Sequence, residues 1–154
     1  MSAPLVLVIN GPNLDALGTR QPEIYGSTTL AQLEDDLRVR AKELGLRVEF
    51  FQSADEDAVV AAVRDAPGRG AAAILINPAA LTHFSYPLRE ALASTGLPVV
   101  EVHISNIHAR EPFRRLSLVS GVAKGVIAGL GVAGYGLALD AIAGMVRAPH
   151  NGDA

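Results

Sequence analysis

A chain of 154 residues is long enough for one domain with its own core, and 49% hydrophobic against 19% charged residues excludes intrinsic disorder. A formal net charge of −3 with scattered Lys and Arg argues against nucleic-acid or anionic-membrane partners, and the absence of Cys excludes disulfides and thiolate metal sites. The opening PLVLVIN run is too short to span a membrane and lacks the features of a signal peptide, so a cytoplasmic protein is expected.

PLVLVIN (4–10) is a continuous apolar run of the buried-strand type. A long loop follows, and then a helix from Leu30 that carries Leu30, Leu33, Leu37, Ala41 and Leu44 on one stripe. Thr29 and Gln32 suit a capping box at its start, and Gly45 supplies the stop. RVEFFQ (47–52) reads as the second strand, and Asp55 to Ala66 as a helix with Val59, Val60 and Val63 inward. AAAILIN (71–77) is the third strand, followed by a helix over Tyr86–Thr95 between a Ser85 cap and Gly96. VVEVHISN (99–106) reads as the fourth strand, with a polar loop over 106–117 after it. A fifth strand lies near KGVIAG (124–129), a last helix starts near Val132, and residues 147–154 are expected to fray.

Five strands alternating with helices imply a single α/β domain over 1–154, with its core at about 4–146. The expected architecture is a flavodoxin-like three-layer sandwich with a five-stranded parallel sheet of order 2-1-3-4-5. Ligands then bind at the carboxyl ends of the strands, and the apolar runs turn polar there: Asn10, Asn77, His103 and Ser105 all fall at that edge.

Strand alternation puts Val100, Val102 and Ile104 on one face of the fourth strand and Glu101, His103 and Ser105 on the other. A carboxylate two residues from an imidazole can hold its tautomer and raise its basicity, which suits general acid work. Alone, such a histidine could equally be a satisfied strand end; His83 in NPAALTHFS and the nearby asparagines favour chemistry. No H-x-x-x-H or H-E-x-x-H spacing occurs, and the remaining polar residues are amides and arginines, so no metal is expected. HAREPFRR carries Arg110, Arg114 and Arg115, and a brief helix there would put Arg110 and Arg114 on one face for a carboxylate or phosphate. GTRQPEIYGS (18–27) is a loop long enough for a lid, with Arg20 beside Tyr25. Tyrosine is a poor base at its ordinary pKa of about 10, and guanidinium charge nearby would favour tyrosinate. GLGVAG (129–134) matches G-x-G-x-x-G but lies at the final strand, with no βαβ unit after it, so close helix–strand packing is the expected reason for its glycines.

Together the blocks INGPNLDALGTRQPEIYGSTTL, INPAALTHFS, EVHISNIHAREPFRRLSLVS and GVIAGLGVAGYGLAL resemble type II 3-dehydroquinate dehydratases over residues 5–145. That resemblance implies a lyase that dehydrates 3-dehydroquinate to 3-dehydroshikimate through an enolate, the third step of the shikimate pathway to chorismate and the aromatic amino acids. It implies no cofactor and no metal, and a homo-oligomer, a dodecamer built as a tetramer of trimers. By position, Tyr25 would take the C2 proton, Arg20 would stabilise tyrosinate and the transition state, and His103 would protonate the departing C1 hydroxyl. Glu101 would orient His103, and Asn13 would help hold a water or the enolate oxygen. Asn77, His83 and Arg114 would bind substrate hydroxyls, Ile104 and Ser105 its carboxylate, and Arg110 would sit close to the tyrosine. Three positions depart from the usual pattern: Ala79 where Gly is common, Phe84 where a smaller polar residue is common, and Glu90 where Asp reaches a neighbouring subunit's site. Two other readings stay open at this point: a nucleotide- or flavin-binding module resting on GLGVAG, and a catalytically dead relative used in assembly.

Overall fold

The computed structural model describes residues 2–147; of the tail expected over 147–154, Arg147 still belongs to the last helix, and 148–154 lie outside the described residues. Strands β1 (Leu5–Asn10), β2 (Arg47–Gln52), β3 (Ala71–Asn77), β4 (Val99–His103) and β5 (Gly125–Ala128) form one sheet of order β2-β1-β3-β4-β5. Every pairing is parallel. β1 is buried at every position, as expected of a strand covered on both faces.

Two apolar layers sandwich the sheet. On one side Val6, Val8, Val100 and Val102 pack with α2 (Leu30–Glu43) and α5 (Ala133–Arg147). On the other Leu7, Ile9, Ile74 and Ile76 pack with α3 (Glu56–Asp65) and α4 (Tyr86–Thr95). Burying each such side chain contributes about 1.5–3 kcal/mol, so these two layers are the main source of stability. α2 starts at the expected capping box: the Thr29 side chain accepts from the Gln32 N–H at 3.2 Å, and the Thr29 N–H donates to Gln32 Oε1 at 2.9 Å. Among the described residues no helix is long and apolar enough to cross a membrane.

Three local expectations shift. The fourth strand stops at His103 rather than 106, because Gly129 and Gly131 reach back to the carbonyls of His103 and Ile104 and end the ladder. The loop after β1 contains a short helix α1 (Pro22–Tyr25), and residues 107–115 form two separate 3₁₀ turns. Arg110 lies between those turns in extended backbone, so Arg110 and Arg114 do not share one helical face.

Order β2-β1-β3 makes the sheet change direction between β1 and β3, which opens a crevice at their carboxyl ends. There the turn after β1 meets the turn after β3: the Gly11 N–H donates to the Asn77 carbonyl at 2.9 Å. A Cβ at Gly11 would stand 2.5 Å from the Pro78 carbonyl oxygen, so only glycine permits this approach. GLGVAG has a packing role as well, since a Cβ at Gly134 would crowd the Ile127 side chain at 3.2 Å.

Candidate active site

A cleft of about 160 Å³ lies over the carboxyl ends of β1, β3 and β4. Its floor comes from β4 and the residues just beyond it, His103, Ile104 and Ser105. One wall is Asn77, Ala79 and His83; the opposite wall is Asn13, Arg20 and Tyr25 from the loop after β1. Arg110 and Arg114 close the rim. Glu101 lies directly behind His103, and Glu90 is elsewhere, on the outer face of α4, with its side chain 67% exposed and paired with Arg89 at 2.6 Å.

Glu101 is fully buried, which demands donors for both of its oxygens. His103 Nε2 lies 2.5 Å from Oε2. The Thr82 hydroxyl donates to the same oxygen at 2.9 Å, Ser120 donates to Oε1 at 2.7 Å, and Ser117 lies within 3.1 Å of both oxygens. Burial pushes the Glu101 carboxyl toward its neutral form, but the hydrogen bonds from His103, Ser120 and Ser117 and the His103 charge outweigh it. The carboxyl is held below its ordinary value of 4.5. With Nε2 turned to a carboxylate, that nitrogen carries hydrogen, and Nδ1 is the ring atom left to exchange a proton.

Tyr25 is half-exposed and held by arginines. Arg110 Nη1 donates to the Tyr25 hydroxyl at 2.9 Å and to the Ser105 hydroxyl at 3.0 Å, tying the loop to the end of β4. The guanidinium carbons of Arg110 and Arg20 lie 5.4 and 5.5 Å from the centre of the tyrosine ring, within cation–π range. Arg114 shares its guanidinium with Glu111, Nε to Oε1 at 2.8 Å, and that bond holds the exposed Glu111 carboxyl down at about 2. His83 Nδ1 bonds the Leu116 carbonyl at 2.7 Å, and the ring stands edge-on to Phe113.

Asn77 is 3% exposed and bonded on both sides: its Oδ1 accepts from the Ala79 N–H at 3.1 Å, and its Nδ2 donates to the Tyr135 hydroxyl at 2.9 Å. Asn13 and Ala79 have φ of 72° and 52°, in the left-handed region that favours glycine. Glycine at position 79 would adopt that backbone without strain, so the departure noted there puts a strained residue in the cleft wall.

Sequence reasoning missed Thr82, Ser117, Ser120 and Tyr135. A signal for the first three existed, since a buried strand carboxylate requires donors and hydroxyls flank the histidine blocks. Which hydroxyls reach it depends on tertiary packing, as does the meeting of Tyr135 with Asn77 across 58 residues. Among the described residues no group of three or more His, Cys, Asp or Glu gathers in metal-binding geometry. Three guanidinium groups, two imidazoles, amides and a phenol around a small cleft suit an anionic, hydroxyl-bearing molecule and proton-transfer chemistry.

The family model described as Dehydroquinase class II matches residues 4–143. The 3-dehydroquinate dehydratase of Thioalkalivibrio sulfidiphilus is 57% identical over 135 residues, covering 88% of this chain and 92% of that protein. That of Methylococcus capsulatus is 53% identical over 136 residues, with 88% and 92% covered. The crystal structure of type II dehydroquinase from Propionibacterium acnes superposes with a TM-score of 0.88 at 44% identity, covering 92% of this chain and 97% of that one.

Proposed function

This chain belongs to the class II dehydroquinase family, and from that premise we propose how it dehydrates 3-dehydroquinate to 3-dehydroshikimate in the shikimate pathway. Tyr25, as tyrosinate, removes the C2 proton next to the ketone, and the electron pair passes into an enolate. The enolate then collapses: the C1–O bond breaks, the C1–C2 double bond forms, and His103 gives the departing hydroxyl a proton. Tyr25 returns its proton and His103 regains one, with water as the second product. The observation that carries this reading is a phenol bonded to Arg110 at 2.9 Å and an imidazole bonded to Glu101 at 2.5 Å, both lining one small cleft.

The proton alpha to a ketone is weakly acidic, so the enolate needs aimed donors, each typically worth about 3–4 kcal/mol of barrier. Asn13 holds a water or the enolate oxygen, and Arg20 and Arg110, both against the Tyr25 ring, favour the tyrosinate that the reaction needs. Arg114, His83 and Asn77 take substrate hydroxyls, and the segment at Ile104 and Ser105 takes the carboxylate. Glu101 is a positioning residue that acts through His103. The enone product absorbs in the ultraviolet and the ketone substrate does not. Mixing the chain with 3-dehydroquinate should therefore build an ultraviolet band at a steady rate; no band at any enzyme concentration would contradict the assignment.

We read the chain as one catalytic domain, needing no cofactor and acting in the cytoplasm as part of aromatic biosynthesis. For assembly we propose a dodecamer, a tetramer of trimers, in which Glu90 completes a neighbour's cleft. Its support is the resemblance together with the outward Glu90 and the exposed apolar rings of Phe84 and Tyr86, at 57% and 65%. Light scattering that finds a fully active monomer would contradict it.

A further inference from the structure

We propose that Tyr135, which does not touch the cleft, is a positioning residue for substrate: through Asn77 it fixes the strained turn at Ala79 that forms one wall. The inference rests on reading the cleft as the dehydratase site.

Tyr135 lies on α5 with no exposure. Its hydroxyl donates to Asn10 Oδ1 at 2.6 Å and accepts from Asn77 Nδ2 at 2.9 Å. Asn10 and Asn77 are register partners at the carboxyl ends of β1 and β3, so one phenol bridges the two strand ends where the crevice opens. Burial raises the pKa of this phenol, with the Asn77 bond only partly offsetting it, so it remains a neutral donor and acceptor.

The direction of the chain of bonds is unique, and a backbone group sets it. The Ala79 N–H can only donate, so the Asn77 atom facing it at 3.1 Å is the carbonyl oxygen. Nδ2 of Asn77 therefore faces Tyr135, the phenol must accept there, and its one proton goes to Asn10. Flipping Asn77 would set two donors against each other at Ala79, and flipping Asn10 would take away the acceptor of the phenol proton; in a buried site either mismatch is costly. The Asn77 amide is thereby locked, with its second N–H left for the cleft it lines. It meets a ligand as a donor, which selects a hydroxyl or carbonyl oxygen.

The same lock restrains Ala79, whose φ of 52° is unfavourable for a residue with a Cβ. Such a conformation persists only where surroundings hold it, and the bond to Asn77 is the contact that does so. Phenylalanine at 135 would keep the ring in the core but leave the two asparagines without their bridge.

Steady-state kinetics of Tyr135→Phe, run at a temperature where circular dichroism shows it folded, test this. KM should rise about threefold to tenfold, one hydrogen bond's worth, while kcat stays within about twofold. Adding Ala79→Gly should recover most of the rise, because glycine takes the turn without restraint. Where Tyr135→Phe does not fold, Asn10→Ala breaks the same chain from the side away from the cleft, and the same rise in KM is expected. An unchanged KM in the folded variant would overturn the proposal. So would a fall in kcat at constant KM, or a KM rise that Ala79→Gly leaves intact. An unmodified chain without dehydratase activity would instead overturn the reading of the cleft, and this inference with it.

Discussion

His103 and Tyr25 line the same cleft, but one is anchored in the sheet and the other rides on a loop. His103 is 4% exposed at the end of β4, and its partner Glu101 is satisfied by Thr82, Ser117 and Ser120. Tyr25 is half-exposed at the end of a single-turn helix, and its hydroxyl is fixed by one guanidinium from another loop. The proposed acid is thus set by the fold itself, whereas the proposed base is held by the guanidinium groups around it. One consequence is that substitutions on the two sides should separate stability from rate.

The largest effect is expected for His103→Ala. It removes the proposed proton donor, an effect typically worth about 10²–10⁴ in rate, and leaves a buried carboxylate short of a partner at a cost of about 1–3 kcal/mol. Turnover assays and denaturant melts on the same samples should show both losses. Tyr25→Phe should match the rate loss, again about 10²–10⁴, yet leave the melting temperature nearly unchanged, because phenylalanine keeps the ring packed against the core and loses only the bond to Arg110. A marked loss of stability in Tyr25→Phe would erase the distinction between the two sides.

Glu101→Gln should cost less, about 10–100-fold in rate, since the imidazole remains but loses its oriented anionic acceptor. It also has a signature in pH. The Glu101 carboxyl is lowered in the folded state, so its ionised form stabilises the fold above the ordinary value of 4.5, and that stability is lost as pH falls through the lowered value. Melting temperature should therefore fall below that pH more steeply in the unmodified chain than in Glu101→Gln. Equal slopes would mean that the carboxylate cage contributes nothing. The smallest effect is expected for Glu111→Gln: the carboxylate is exposed, so the melting temperature should not move, while KM shifts modestly as Arg114 is released.

The alternation in VVEVHISN was enough to put Glu101 and His103 on one strand face, and apolar runs ending in Asn10 and Asn77 were enough to place the crevice. Local chemistry of this kind is legible because strand period and capping act over a few residues. The three hydroxyls around Glu101 and the phenol between Asn10 and Asn77 were not legible, because they come from segments brought together only by packing. A brief helix spanning Arg110 and Arg114 does not form for a related reason: extended backbone at Arg110 interrupts it, and both side chains line the cleft regardless. Strain at Ala79 is visible only in the backbone.

The division of labour between the two sides is tested most directly by proton exchange. Each variant is incubated with 3-dehydroquinate in D₂O, and deuterium at C2 is followed by NMR alongside product. His103→Ala keeps the base and lacks the acid, so it should exchange the C2 proton without forming 3-dehydroshikimate, and Tyr25→Phe should do neither. Exchange that persists in Tyr25→Phe, or is absent from a folded His103→Ala, would contradict the assignment of base and acid.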